Sequence, residues 1–87
     1  MEIKYSERAV KQIKLIHKGD KKSAKMILEA IESYAQKPSG NFDIKILKGS
    51  YGELKRLRVG KYRIIFDDVG KILFVYEVKH RQEAYNG

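Results

Sequence analysis

The residues in this chain best suited to chemistry are cations. Arg56 and Arg58 stand two apart, Arg63 follows just behind Gly60-Lys61, and Lys79, His80 and Arg81 sit together near the end, with Tyr85 beyond them. Lys45, Lys48 and Lys55 add charge around the first group. A guanidinium is planar, keeps its charge and grips two phosphate oxygens at once. Several together suit a phosphodiester, because fixed cations stabilise the negative charge that builds up when it reacts. His80 is the one side chain of the set that ordinarily titrates near neutrality, so it is the natural candidate to move a proton. The sequence has no cysteine, no His, Asp and Glu group with metal-ligand spacing and no Gly-rich phosphate loop. Nor do Ser, His and Asp form a nucleophile set. The expectation is a site with no metal and no cofactor.

Composition agrees with a phosphate-binding role. The 87 residues fit one domain, 1–87, and leave no room for a second. With 43% hydrophobic and 34% charged residues the chain reads as globular rather than disordered. The net charge of +8, from 19 Lys and Arg against 11 Asp and Glu, gives a small body a strong positive potential. Two partners fit that potential: a nucleic acid backbone, or an acidic protein that masks the surface. The longest nearly apolar run, Ile72 to Tyr76, is far short of the roughly 20 residues that span a bilayer. No apolar signal segment follows Met1-Glu2-Ile3-Lys4. With no thiols to oxidise, a cytoplasmic location is expected.

The elements that must position these cations can be read from periodicity. Glu2 to Tyr5 reads as a short strand, and Ser6 as the N-cap of a helix carrying Val10, Ile13, Ile16 and His17 on one side. His17 is placed to meet the carbonyls at that helix's end. Gly19 is expected to end the helix as a C-terminal cap, and Asp20 to start a second. The inner face of the second helix is expected to hold Ala24, Ile27, Leu28, Ile31, Tyr34 and Ala35. Beyond Pro38-Ser39-Gly40-Asn41 the period becomes two. Strands are expected from Ile44, over Leu54 to Val59, over Tyr62 to Phe66, and over Ile72 to Val78. Gly60-Lys61 forms a two-residue hairpin turn, and the last strand, apolar on both faces, should be central. The fold class is therefore α+β, with order β-α-α-β-β-β and a further strand if residues 44–48 pair. Two helices cover one face of a twisted, mainly antiparallel sheet. Arg56 and Arg58 would then line the other, open face, while Leu57 and Val59 meet the helices.

Leu57-Arg58-Val59-Gly60-Lys61-Tyr62-Arg63-Ile64-Ile65-Phe66 resembles a signature hairpin of the RelE/ParE toxin superfamily. Val78-Lys79-His80-Arg81-Gln82-Glu83-Ala84-Tyr85 is similar to that family's H-R-x-x-x-Y ending, and Ile46-Leu47-Lys48-Gly49 to its K-L-x-G strand end. The resemblance covers essentially the whole chain. It implies a toxin of a toxin–antitoxin system whose partner is an antitoxin, often acidic, that wraps around it. RelE-like members cut mRNA in the ribosomal A site. ParE-like members block DNA gyrase without enzymatic activity. Cleavage without metal needs the 2′-hydroxyl to attack the adjacent phosphate while a base takes its proton and an acid protonates the leaving oxygen.

By this resemblance Arg63 matches the arginine that RelE-type enzymes set on the phosphate. Arg56 and Arg58 match basic positions on the preceding strand, and Arg81 or Lys79 the arginine near the end. Tyr85 matches a tyrosine that stacks on a base or takes part in proton transfer. The catalytic set expected is Arg56, Arg63, Arg81, His80 and Tyr85, with Lys45, Lys48, Lys55, Arg58 and Lys79 binding RNA. The cation cluster favours the mRNA endoribonuclease. The alternatives are a ParE-like gyrase inhibitor and an inactive basic relic. The relic is motivated by a departure: where some RelE enzymes carry two lysines two apart, this chain has Leu54 and Arg56, with Lys55 between them pointing the other way. With two residues after Tyr85, no C-terminal helix is expected to shape the site. The ordinary alternatives are solvated strand charges for the arginines, a turn or partner contact for His80, and core or edge packing for the other tyrosines.

Overall fold

A computed structural model describes residues 1–47 and 54–81. The elements follow the order β1 (Glu2–Tyr5), α1 (Glu7–Gly19), α2 (Lys21–Gln36), β2 (Ile44–Leu47), β3 (Leu54–Val59), β4 (Tyr62–Asp67) and β5 (Ile72–His80). They build one five-stranded sheet with spatial order β1-β5-β4-β3-β2, in which only β1 and β5 run parallel. The α+β architecture expected from the sequence is the one found, including the optional strand at Ile44–Leu47, which pairs with β3. β5 lies between β1 and β4, as its two apolar faces require.

Local chemistry sets each start and stop. The Ser6 hydroxyl accepts from the Ala9 amide at 3.0 Å and donates to the Tyr76 carbonyl at 2.5 Å, so the same residue caps α1 and ties its start to β5. Asp20 caps α2 by accepting from the Ser23 amide and hydroxyl. Gly19, expected as the C-terminal cap, is instead the last residue of α1; Asp20 is the C-cap, its amide donating to the Ile16 carbonyl. Gly60 has φ 56 at the first position of the hairpin turn, where a side chain would strain the backbone.

The core lies between the helices and one sheet face. Ala9 from α1, and Ile27, Ile31, Tyr34 and Ala35 from α2, meet Leu57, Ile64, Phe66, Leu73, Val75 and Val78 from the sheet. Tyr34 packs edge-on against both Phe42 and Phe66, at centroid distances of 5.3 and 5.0 Å. Val10 and Leu28, expected on inner faces, are instead exposed at the margins.

β1 ends opposite Val75, so the second half of β5 has no strand on that side. α1 covers this edge, and the Gln12 side-chain oxygen accepts from the Val78 amide at 2.6 Å. Gln12→Leu strands that buried donor and is expected to cost about 1–3 kcal/mol in urea unfolding. Gln12→Glu keeps an acceptor and should retain most of the stability.

One irregularity decides which side chains reach the open face. Ile65 pairs with Glu77 but Phe66 pairs with Val75, so Tyr76 is an extra residue on β5, a β-bulge. Val75 and Val78 are both buried against the helices. The two-residue alternation therefore changes phase at Tyr76.

Candidate phosphate site on the open face

Because Leu57, Ile64 and Val78 point to the helices, their neighbours Arg58, Arg63 and Lys79 point away. The register sets these three directly opposite one another across β3, β4 and β5. Directly opposed side chains have Cβ atoms about 4.5–5.5 Å apart, and like charges so placed repel. A parallel row beside it holds Lys45, Arg56, Ile65 and Glu77. The two rows thus bring five cations together on the face that the helices leave bare.

Arg63 is the centre of this arrangement. It is the only buried charged residue among those described, at 4% exposure. Its guanidinium donates to the Tyr62 carbonyl at 3.5 Å, the outer limit for such a contact. No carboxylate of the described residues pairs with it. Arg56 is held by Asp43 at 3.1 Å, and its Nε is buried without a hydrogen-bond partner. Lys79 lies 3.8 Å from Glu77, whose other oxygen takes Arg8 of α1 at 3.5 Å. A buried guanidinium without a counter-ion is costly to keep. Its position suits a ligand that brings its own negative charge.

The structure separates the other expected site residues. Lys55, expected to bind RNA, faces the helix side: its ammonium lies 2.9 and 3.1 Å from the two oxygens of Asp68, which also accepts from the Tyr34 hydroxyl at 2.5 Å. His80, expected beside the arginines, also turns to the helix side. It pairs with Tyr62, the rings meeting edge to face at 5.4 Å, and lines a cleft with Gln12, Leu15, Ile16 and Val78. The bulge is the cause, since it sends Lys79 outward and His80 inward. Arg81 is exposed at the hairpin end of the row, its amide donating to the Lys61 carbonyl at 2.7 Å. Lys48 and Tyr85 lie outside the described residues. Sequence reasoning missed Glu77 as a neighbour of Lys79, which their spacing of two on one strand could have signalled, and Gln12 as the edge cap, which follows only from where β1 ends.

The Lys55–Asp68–Tyr34 contact ties β3, the β4–β5 loop and α2 together. Burial alone would raise Asp68, but hydrogen bonds from Tyr34 and Lys55 outweigh it and hold the carboxyl below its usual range. Burial, and then the hydrogen bond to Asp68, push Tyr34 up to about 12. A lowered carboxyl contributes stability that is complete above its unfolded value of about 3.9 and lost as pH falls through the lower folded value. The raised tyrosine contributes stability that is lost as pH rises from about 10. Asp68→Asn is expected to cost about 1–3 kcal/mol near neutrality. In urea unfolding, the gap between this variant and wild type should hold down to about pH 4 and shrink below it.

The family model for the ParE toxin of type II toxin–antitoxin systems matches residues 3–85. The Toxin RelE3 of Methanocaldococcus jannaschii is 30% identical over 86 residues, covering 99% of this chain and 97% of that relative. The chain belongs to the RelE/ParE toxin family. It is thus a toxin of a type II toxin–antitoxin system. Solved relatives share its fold. The toxin is similar to a chain of the RelB–RelE antitoxin–toxin complex from Methanococcus jannaschii, with 30% identity, TM-score 0.74 and 94% of each chain covered. It is also similar to one from the archaeal RelE–RelB complex of Pyrococcus horikoshii, with 25% identity, TM-score 0.73 and coverage of 92% and 93%. No helix among the described residues of the toxin is long and apolar enough to cross a membrane.

Proposed function

We propose that the toxin is a ribosome-dependent mRNA endoribonuclease that cuts without metal, by attack of a 2′-hydroxyl on the adjacent phosphodiester. The observation that carries this reading is Arg63: buried, without a counter-ion among the described residues, and flanked across the sheet by Arg58 and Lys79. In this reading the scissile phosphate sits on that row. Arg63 takes two of its oxygens, and Arg58, Lys79 and Arg56 surround the added charge of the phosphorane. Positioning and fixed charge supply most of the acceleration. His80 faces away from the row, so the proton transfers fall to groups on the open face or to the ribosome. Lys45 extends the cationic path for the backbone. An acidic antitoxin silences the toxin by covering the same face.

The test is induced expression in cells followed by primer extension on a reporter mRNA. New 5′ ends within codons are expected. The matching family model is that of the ParE toxin, and a ParE-like gyrase inhibitor is the second reading. That reading predicts double-strand DNA damage with transcripts intact, so the two readings separate in one culture.

A further inference from the structure

The open face carries a second feature along the same strands. Asp67 and Phe74 are paired across β4 and β5, and the bulge presents Tyr76 on the same side. The Phe74 and Tyr76 rings lie 4.7 Å apart with their planes tilted by 45°. Tyr76 is 39% exposed, and its hydroxyl donates to Asp67 Oδ2. The other oxygen of Asp67 has no hydrogen-bond partner among the described residues. Two aromatic rings and an anchored acceptor are an unusual endowment for a solvated face. They stand four residues along β4 from Arg63, about 13 Å at strand rise, a distance that a short single-stranded segment bridges.

We propose that Phe74, Tyr76 and Asp67 form a nucleobase subsite beside the cationic row, which stacks one base of a single-stranded RNA and prefers guanine. The row draws in the phosphate backbone, and the aromatic faces receive an unstacked base from it. Any base offers a π-face, so the rings give affinity without selection. Asp67 supplies the selection. An ionised carboxylate only accepts hydrogen bonds, and guanine presents adjacent N–H donors on its pairing edge. The Tyr76 hydroxyl fixes the carboxylate's orientation. This inference rests on the RNA reading above and adds a specificity determinant to it.

The experiment measures fluorescence anisotropy of the whole toxin with labelled 2′-O-methyl RNA 9-mers, which bind but lack the attacking hydroxyl. One 9-mer is all adenine, and others carry a single guanine. Tyr76→Ala should weaken binding about tenfold with the salt dependence unchanged, because a stacked base and no phosphate contact is lost. Tyr76→Trp should keep wild-type affinity. Tyr76→Phe keeps the ring and should retain affinity, while Asp67→Asn should erase the preference for the guanine-containing strand. Arg58→Ala should weaken every strand alike and reduce the salt slope by about one. Wild-type affinity and base preference in Tyr76→Ala and Asp67→Asn, alongside weakened Arg58→Ala, would overturn the subsite and leave the cationic row standing. Failure of the wild-type toxin to bind any 9-mer would overturn both.

Discussion

Arg63→Ala is expected to lower transcript cleavage in induced cells about 10²–10³-fold, the loss seen when one donor aimed at developing negative charge is removed. The same substitution should relieve growth arrest. Arg63→Lys should recover only part of the activity, because an ammonium keeps the charge but loses the planar fork. The stability of these variants separates function from architecture. Arg63 is 4% exposed and pairs with no carboxylate of the described residues, and it faces like charge on both sides. Replacing it by Met, of similar reach and apolar, should leave thermal stability unchanged or raised, since a desolvated cation and two repulsions disappear together. An inactive Arg63→Met that melts at or above the wild-type temperature is the expected result. Equal activity in Arg63→Met and wild type would remove Arg63 from the site altogether. His80→Ala should stay within a few fold of wild type in the same primer-extension assay, because its ring packs on Tyr62 away from the row.

The largest expected loss of stability is at Phe66. It is 1% exposed, the largest of the fully buried side chains among the described residues, and it packs edge-on against Tyr34. Phe66→Ala removes that ring contact and leaves a cavity between β4 and α2, at a cost of about 3–5 kcal/mol. For a domain of this size each kcal/mol lowers the melting temperature by about 4–8 °C, so a drop of more than 12 °C is expected by calorimetry. Phe66→Leu fills much of the space and should cost far less. A drop of only a few degrees in Phe66→Ala would mean that the helices rest on the sheet without relying on this ring.

Much of this was legible from the residues alone. Ser6 and Asp20 announce the two helix starts, Gly60-Lys61 announces the central hairpin, and the alternation of Leu57 and Val59 with Arg56 and Arg58 tells which side of β3 stays wet. Those signals are local, so they survive without knowledge of the partner strands. Arg63 could be placed on the open face by the same counting, since Ile64 and Phe66 claim the core. What local patterns did not reveal was the burial of Arg63, which depends on its neighbours across the sheet. Lys55 was misplaced for a related reason. Parity put it on the helix side, but charge suggested a ligand, and its true partner, Asp68, comes from a turn thirteen residues on. His80 was lost to the run Ile72-Leu73-Phe74-Val75-Tyr76, where apolar residues on both sides hide the extra residue that resets the count.

That extra residue makes the end of β5 act like a two-position selector. With Tyr76 taken up as an extra residue, an ammonium is dealt to the wet side and an imidazole to the dry side; were the strand to run on regularly from Val75 with Tyr76 counted in, the two would trade places. A descendant of this chain that lost the Tyr76 codon would keep Lys79 opposite Arg63, because the irregularity would vanish together with the residue that makes it.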